Sequence, residues 1–196
     1  MTFNELLEEA YLLTDRRDLE AETKSAIKAA TLKAHQSDFY SKDIHETGVE
    51  FDNCDYRQAL DYISLIPNLR ALKYFRRVQD QYDDTGTFLE VILPEELLDS
   101  YGVGRRDIAY IAGRILEIRS AVPFQYALMG AYVLPIVTET GYSSWVAEQF
   151  PFAIVYEAAR VVFKAIGYDE QSATFTQLLA EQYQLLKMSA LSDVGY

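Results

Sequence analysis

The chain is poor in most of the residues that specialised chemistry depends on. Its single cysteine, Cys54, excludes an intramolecular disulfide and suits a reducing compartment. Lys and Arg number 18 against 30 Asp and Glu, a formal net charge of −12. That imbalance argues against a large grip on nucleic acid, which needs clustered cations, and equally against an anionic membrane surface. No stretch approaches ~18 uncharged apolar residues, and no basic segment near Met1 leads into an apolar run. The expectation is a soluble protein with no secretion signal and no membrane partner. Glycine is sparse as well. Gly102-Val103-Gly104 is too short for a phosphate-binding fingerprint and follows no apolar strand. Internal repeats and low-complexity segments are absent.

What the chain does have is apolar and aromatic mass. Hydrophobic residues make up 49% of it, with fifteen Tyr and ten Phe, enough for a real core in one domain or a domain with an inserted module. Thr2 and Glu5 form a capping box, and Phe3, Leu6, Leu7, Ala10 and Leu13 follow at helical spacing. After the polar break 14–18, an Ala-rich helix is expected over Leu19–His35, its small side chains letting another helix approach. Near the other end, Pro151 suits a first helical turn and Gly167 a helix end. Between them only Glu157, Arg160 and Lys164 are charged, on one stripe, so this helix must be buried on most sides. Asp169 opens a further helix with Phe175, Leu178, Leu179, Gln182, Leu185 and Leu186 as a single apolar stripe. The pair reads as a helical hairpin whose centre holds Phe152, Val155, Ala159, Val162 and Phe163 against Leu178 and Leu185.

Between the helices the rhythm changes. A loose two-residue rhythm runs through Val49, Phe51, Tyr56, Leu60 and Tyr62 to a turn at Pro67-Asn68. Leu69–Val78 reads as a strand, with a helix the alternative, and Phe88–Ile92 as a strand, with a turn at 83–86 and a short helix at Pro94–Leu98. Ile108–Ile111 and Arg114–Arg119 form a hairpin through Gly113, Ser120–Pro123 turns the chain, and Tyr126–Leu134 is another strand. The expected fold class is therefore α+β, mainly α. A helical bundle (1–40 and 143–188) carries an inserted small antiparallel β-sheet module (44–135), and 189–196 form an extended C-terminal tail.

No constellation in the sequence calls for an enzyme, a cofactor or a metal. Cys54 with His35 or His45 lacks any supporting motif, and a half-buried thiol with two surface histidines is the plainer reading. Asp80, Asp83 and Asp84 lack the spacing of a calcium loop. Glu95 and Glu96 are explained by a helix dipole. Arg76-Arg77 and Arg105-Arg106 are isolated basic pairs, expected to meet carboxylates.

Several segments resemble tailed-bacteriophage adaptor proteins, also called head–tail connector or head-completion proteins. They are 12–19 (LLTDRRDL), 22–39 (ETKSAIKAATLKAHQSDF), 110–120 (YIAGRILEIRS), 130–135 (GAYVLP), 145–151, 157–159 and 167–171. The resemblance implies a structural virion protein of the phage neck, made in the host cytoplasm. Such proteins assemble into a ring, commonly of about twelve copies, beneath the portal protein and above the next neck or tail protein (stopper, tail tube or nozzle). It also implies that the terminal apolar residues Leu191, Val194 and Tyr196 dock on the portal. A chain this long has a radius of gyration of ~16 Å, so no single copy encloses a duplex. DNA would pass through the ring without specific binding, along a lining whose carboxylates repel phosphate; Asp83, Asp84, Glu95 and Glu96 are the candidates. The alternative from another class is an acidic protein-binding module, such as a DNA mimic or inhibitor. A small hydrolase using Cys54 or the Asp cluster has nothing specific behind it.

Overall fold

A computed structural model describes residues 1–78, 86–98 and 102–192, with side chains as far as residue 189. Helices α1 (Phe3–Thr14) and α2 (Glu20–Gln36) come first, then a 3-10 turn at Ser41–Asp43. Strand β1 (Ile44–Asp61), the one-turn helix α3 (Tyr62–Leu65), β2 (Leu69–Val78) and β3 (Thr87–Val91) follow. After a second 3-10 turn at Pro94–Glu96 come β4 (Ile108–Ala112) and β5 (Ile115–Val133), then α4 (Trp145–Gln149), α5 (Pro151–Ala165) and α6 (Asp169–Ser192). The chain divides into two compact units, Met1–Asp43 with Leu134–Tyr196, and Ile44–Val133.

In the helical unit the capping box forms: the Glu5 amide donates to Thr2 Oγ1 at 3.3 Å and the Thr2 amide to Glu5 Oε2 at 2.8 Å. Helix α1 then buries Phe3, Leu6, Leu7 and Ala10, the stripe its spacing dictates. Ala26, Ala30 and Ala34 of α2 share one core with Ala153, Ile154 and Ala158 of α5, where small side chains let the backbones approach. Val155, Ala159, Val162 and Phe163 are buried as expected, but Phe152 is 38% exposed. The single stripe expected on α6 divides in two. Ser172, Leu179 and Leu186, seven apart, face inward, whereas Leu178 and Leu185 stay 37% and 50% exposed. Neighbouring apolar positions on a helix differ by ~100° of rotation, and one flat face of α5 covers only part of that arc. The helix was expected to stop near Met188; it runs to Ser192, since Ala190 and Leu191 are good helix formers.

The β unit overturns the expected fold class. The protein is not mainly helical, and its β portion is neither small nor purely antiparallel. Strands β2, β3, β4 and β5 close into a four-strand mixed barrel, with β1 as a fifth strand along β5. The β3–β4 contact is parallel, Glu90 opposite Ile108, and every other pairing is antiparallel. The difference arises at Ser120–Pro123, whose residue types predict a turn. Instead β5 runs nineteen residues without a break and bonds three neighbours. Pro123 is tolerated because the β1 ladder skips there: Arg57 pairs with Arg119 and Asp55 with Phe124, with no partner for the residues between. Proline lacks an N–H, so it belongs where the ladder is interrupted. The Ala121 amide is satisfied instead by Asp107 Oδ1 at 2.9 Å. Phe51, Phe75, Leu89, Leu116, Ile118, Phe124 and Met129 fill the interior. Gly113, at φ 64°, makes the expected β4–β5 hairpin turn.

Across three strands of this unit lies one aromatic clamp. Gly130 of β5 sits beneath the Tyr74 ring of β2, close enough that a Cβ would lie 2.3 Å from Tyr74 Cζ. The Tyr74 hydroxyl reaches on to Glu46 of β1 at 2.5 Å.

Candidate functional site

The buried polar groups of the helical unit converge on one place. His35, in the last turn of α2, is 2% exposed and not the surface histidine the sequence suggests. Its Nδ1 lies 2.7 Å from Asp43 Oδ1, and its Nε2 lies 2.9 Å from Ser144 Oγ. The indole N–H of Trp145 donates to the same Asp43 oxygen at 2.7 Å. A carboxylate can only accept, so the His35 ring carries its proton on Nδ1. Tyr40 and His35 each meet Trp145 edge-on, with centroids 5.2 and 5.5 Å away.

Asp, His and Ser in series suggest a hydrolytic relay, but the serine is committed elsewhere. Ser144 is the N-cap of α4; its Oγ accepts from the Ala147 amide at 3.2 Å and is 5% exposed. A nucleophile must present its oxygen to substrate, and this one is spent on a helix end. The network is an anchor: it ties the end of α2, the residue preceding β1 and the start of α4 into one cluster. Two of its members fall within quoted runs of the chain, yet spacing gave no sign of it, because His35 and Ser144 are 109 positions apart.

A second buried polar group lies on α5. Glu157 is 4% exposed, bonded to Lys33 Nζ at 2.7 Å and to Arg160 at 2.7 and 2.9 Å. Burial pushes its carboxyl pKa up, but the hydrogen bonds from Arg160 and Lys33 outweigh that and hold it below the ordinary value. Beside it, α2 and α6 leave a groove of about 430 Å³ lined by Lys33, Gln36, Ser37, Thr176, Leu179, Ala180, Tyr183 and Lys187. The Tyr183 hydroxyl has no hydrogen-bond partner among the described residues, and burial, then Glu157, raises its pKa. On the flank of α6 turned away from this groove, Leu178 and Leu185 are exposed, and Met188 is 66% exposed.

The residues singled out by sequence are not gathered into one site. Glu95 and Glu96 lie exposed in the second 3-10 turn, where Glu96 Oε2 accepts from the Leu93 amide at 3.0 Å. Asp83, Asp84, Val194 and Tyr196 lie outside the described residues, as does the side chain of Leu191, whose backbone is in the last turn of α6. Cys54 is exposed on β1, in the other unit from His35, and His45 is exposed too. Arg105 meets Glu90, and Arg77 meets Asp107 at 3.6 Å. No three His, Cys, Asp or Glu side chains converge among the described residues, and no described helix is long and apolar enough to cross a membrane. No protein-family model matches the chain, and no curated protein matches it.

Proposed function

We propose that this protein is a structural component of a bacteriophage virion. In this reading it is an adaptor of the neck, forming a ring under the portal, joining capsid to tail and enclosing the DNA channel without enzymatic activity. The quoted segments that resemble head–tail connector proteins supply the family. The observation that carries the reading is the surface of α6. This helix is twenty-four residues long, yet it turns Leu179 and Leu186 inward and leaves Leu178, Leu185 and Met188 to solvent. Covering the area that Leu178 and Leu185 still expose, 37% and 50%, is worth roughly 0.5–1.5 kcal/mol each. Their seven-residue spacing suits packing against another helix. The occupant we assign is a second copy of this chain, the lateral neighbour in the ring. The terminal residues Leu191, Val194 and Tyr196 are assigned to the portal, and the net charge of −12 to repelling DNA from the lining.

Native mass spectrometry of the protein, alone and mixed with a portal protein, tests this. The expected result is a ring mass in the mixture, lost in Leu185→Asp with the melting temperature unchanged. Removal of 189–196 should abolish portal binding while leaving the fold intact. A mixture that stays monomeric, or rings indifferent to Leu185→Asp, would refute the reading.

A further inference from the structure

We propose that the β unit carries a binding pocket for a phosphate group, formed by Arg57, Arg105, Arg106 and Arg119. This goes beyond the adaptor reading and does not depend on it. In a chain with nearly two carboxylates for every cation, four arginines line a single concavity of about 490 Å³, with Tyr56 at its rim.

The sheet register creates the cluster. Arg57 of β1 and Arg119 of β5 are direct cross-strand partners on one face. Like charges placed opposite each other in a ladder repel, and here Glu117 offsets that repulsion from the Arg57 side. Arg105 and Arg106 come from the segment leading into β4, whose backbone passes by Arg119: a Cβ on Gly104 would lie 4.0 Å from Nη1, an ordinary contact.

Among the described residues, carboxylates pair with two of the four arginines. Arg57 bonds Glu117 at 2.6 Å and Arg105 bonds Glu90. Arg106 is exposed, with no carboxylate within ion-pair distance among the described residues. Arg119 reaches the Tyr110 hydroxyl at 3.5 Å and lies over that ring, 5.9 Å from its centroid; its buried Nε has no hydrogen-bond partner among the described residues. The Tyr110 hydroxyl donates to Glu117 at 2.7 Å, so Glu117, whose charge Arg119 feels, already takes bonds from Tyr110 and Arg57. Among the described residues, neither Arg106 nor Arg119 has a carboxylate within ion-pair distance. A phosphate monoester or inorganic phosphate carries about −1.5 to −2 at pH 7 and has oxygens for both planar forks. One carboxylate would leave a guanidinium unmatched.

Titration of the full chain with inorganic phosphate at low ionic strength, followed through the arginine Nε–H resonances, is the test. Saturable binding with a shift at Arg119 is expected. Arg106→Ala, on the surface, and Arg119→Lys, which keeps the charge but loses the fork, should each weaken binding about tenfold or more. Their melting temperatures should match the parent. A short DNA duplex forms a second arm. If it binds, is competed by phosphate and is weakened by Arg106→Ala, the phosphate belongs to nucleic acid; if only phosphate binds, the ligand is a free phosphate or monoester. The absence of saturable binding, tighter binding of acetate than of phosphate, or binding untouched by both substitutions would overturn the proposal.

Discussion

Replacing Asp43 tests the buried anchor of the helical unit most directly. Its Oδ1 takes two hydrogen bonds, from His35 Nδ1 and from Trp145 Nε1, both 2.7 Å long. Asp43→Ala removes both at once and strands two donors, each costing ~1–3 kcal/mol when buried without a partner. His35 is fully enclosed, whereas Trp145 is only half-buried and can recruit water in the vacated space. The expected loss is therefore about 2–4 kcal/mol, the lower part of the range. For a chain of this size that corresponds to ~4–16 °C in melting temperature. Asp43→Asn keeps an oxygen of the same shape and loses only the charge assistance, so it should cost about 1 kcal/mol. Trp145 is the only tryptophan, so fluorescence excited at the red edge, beyond tyrosine absorption, reports on this cluster. The reasoning fails if Asp43→Ala melts within a degree or two of the parent with unchanged tryptophan emission, or if Asn proves as damaging as Ala.

Phe163 is 6% exposed and stacks on Phe175 with centroids 5.6 Å apart, so Phe163→Ala should cost ~3–5 kcal/mol in a thermal melt. Phe152, at 38% exposure, should lose no more than about 1.5 kcal/mol on the same change. Gly130→Ala must displace the Tyr74 ring and break its bond to Glu46, at ~1–3 kcal/mol. In a Tyr74→Ala background most of that cost should vanish, and full additivity in this cycle would count against the clamp. Glu157 has a folded pKa held below its ordinary 4.5, so its stabilising effect is present above that value and is lost as pH falls through the folded pKa. Glu157→Gln should therefore lower stability at neutral pH by about 1–2 kcal/mol and converge with the parent in acid. Melts whose difference is constant from pH 7 to about pH 3 would contradict this.

Local chemistry was legible in the chain wherever the deciding partners are close in sequence. Thr2 and Glu5 announce the start of α1, and the three-and-four spacing of Phe3, Leu6, Leu7 and Ala10 names its buried side. Pro151 and Gly167 bracket α5, and Gly113 marks its hairpin, because a missing N–H or a positive φ is a property of one residue. Ser120–Pro123 shows where such rules stop: turn-forming residues sit inside one long strand, since the interruption they require is supplied by a mismatch on β1. Closure of the barrel is likewise a matter of register between distant strands, and no two-residue rhythm reports it. His35 looked like a surface residue because its partners, Asp43 and Ser144, were unremarkable on the line of the sequence. Arg57 and Arg119 became neighbours only when β1 and β5 paired, sixty-two positions apart. Sequence periodicity records which way a side chain points from its own element; what it meets there is decided by packing and pairing between elements, and in this protein that is where the anchor and the arginine pocket arise.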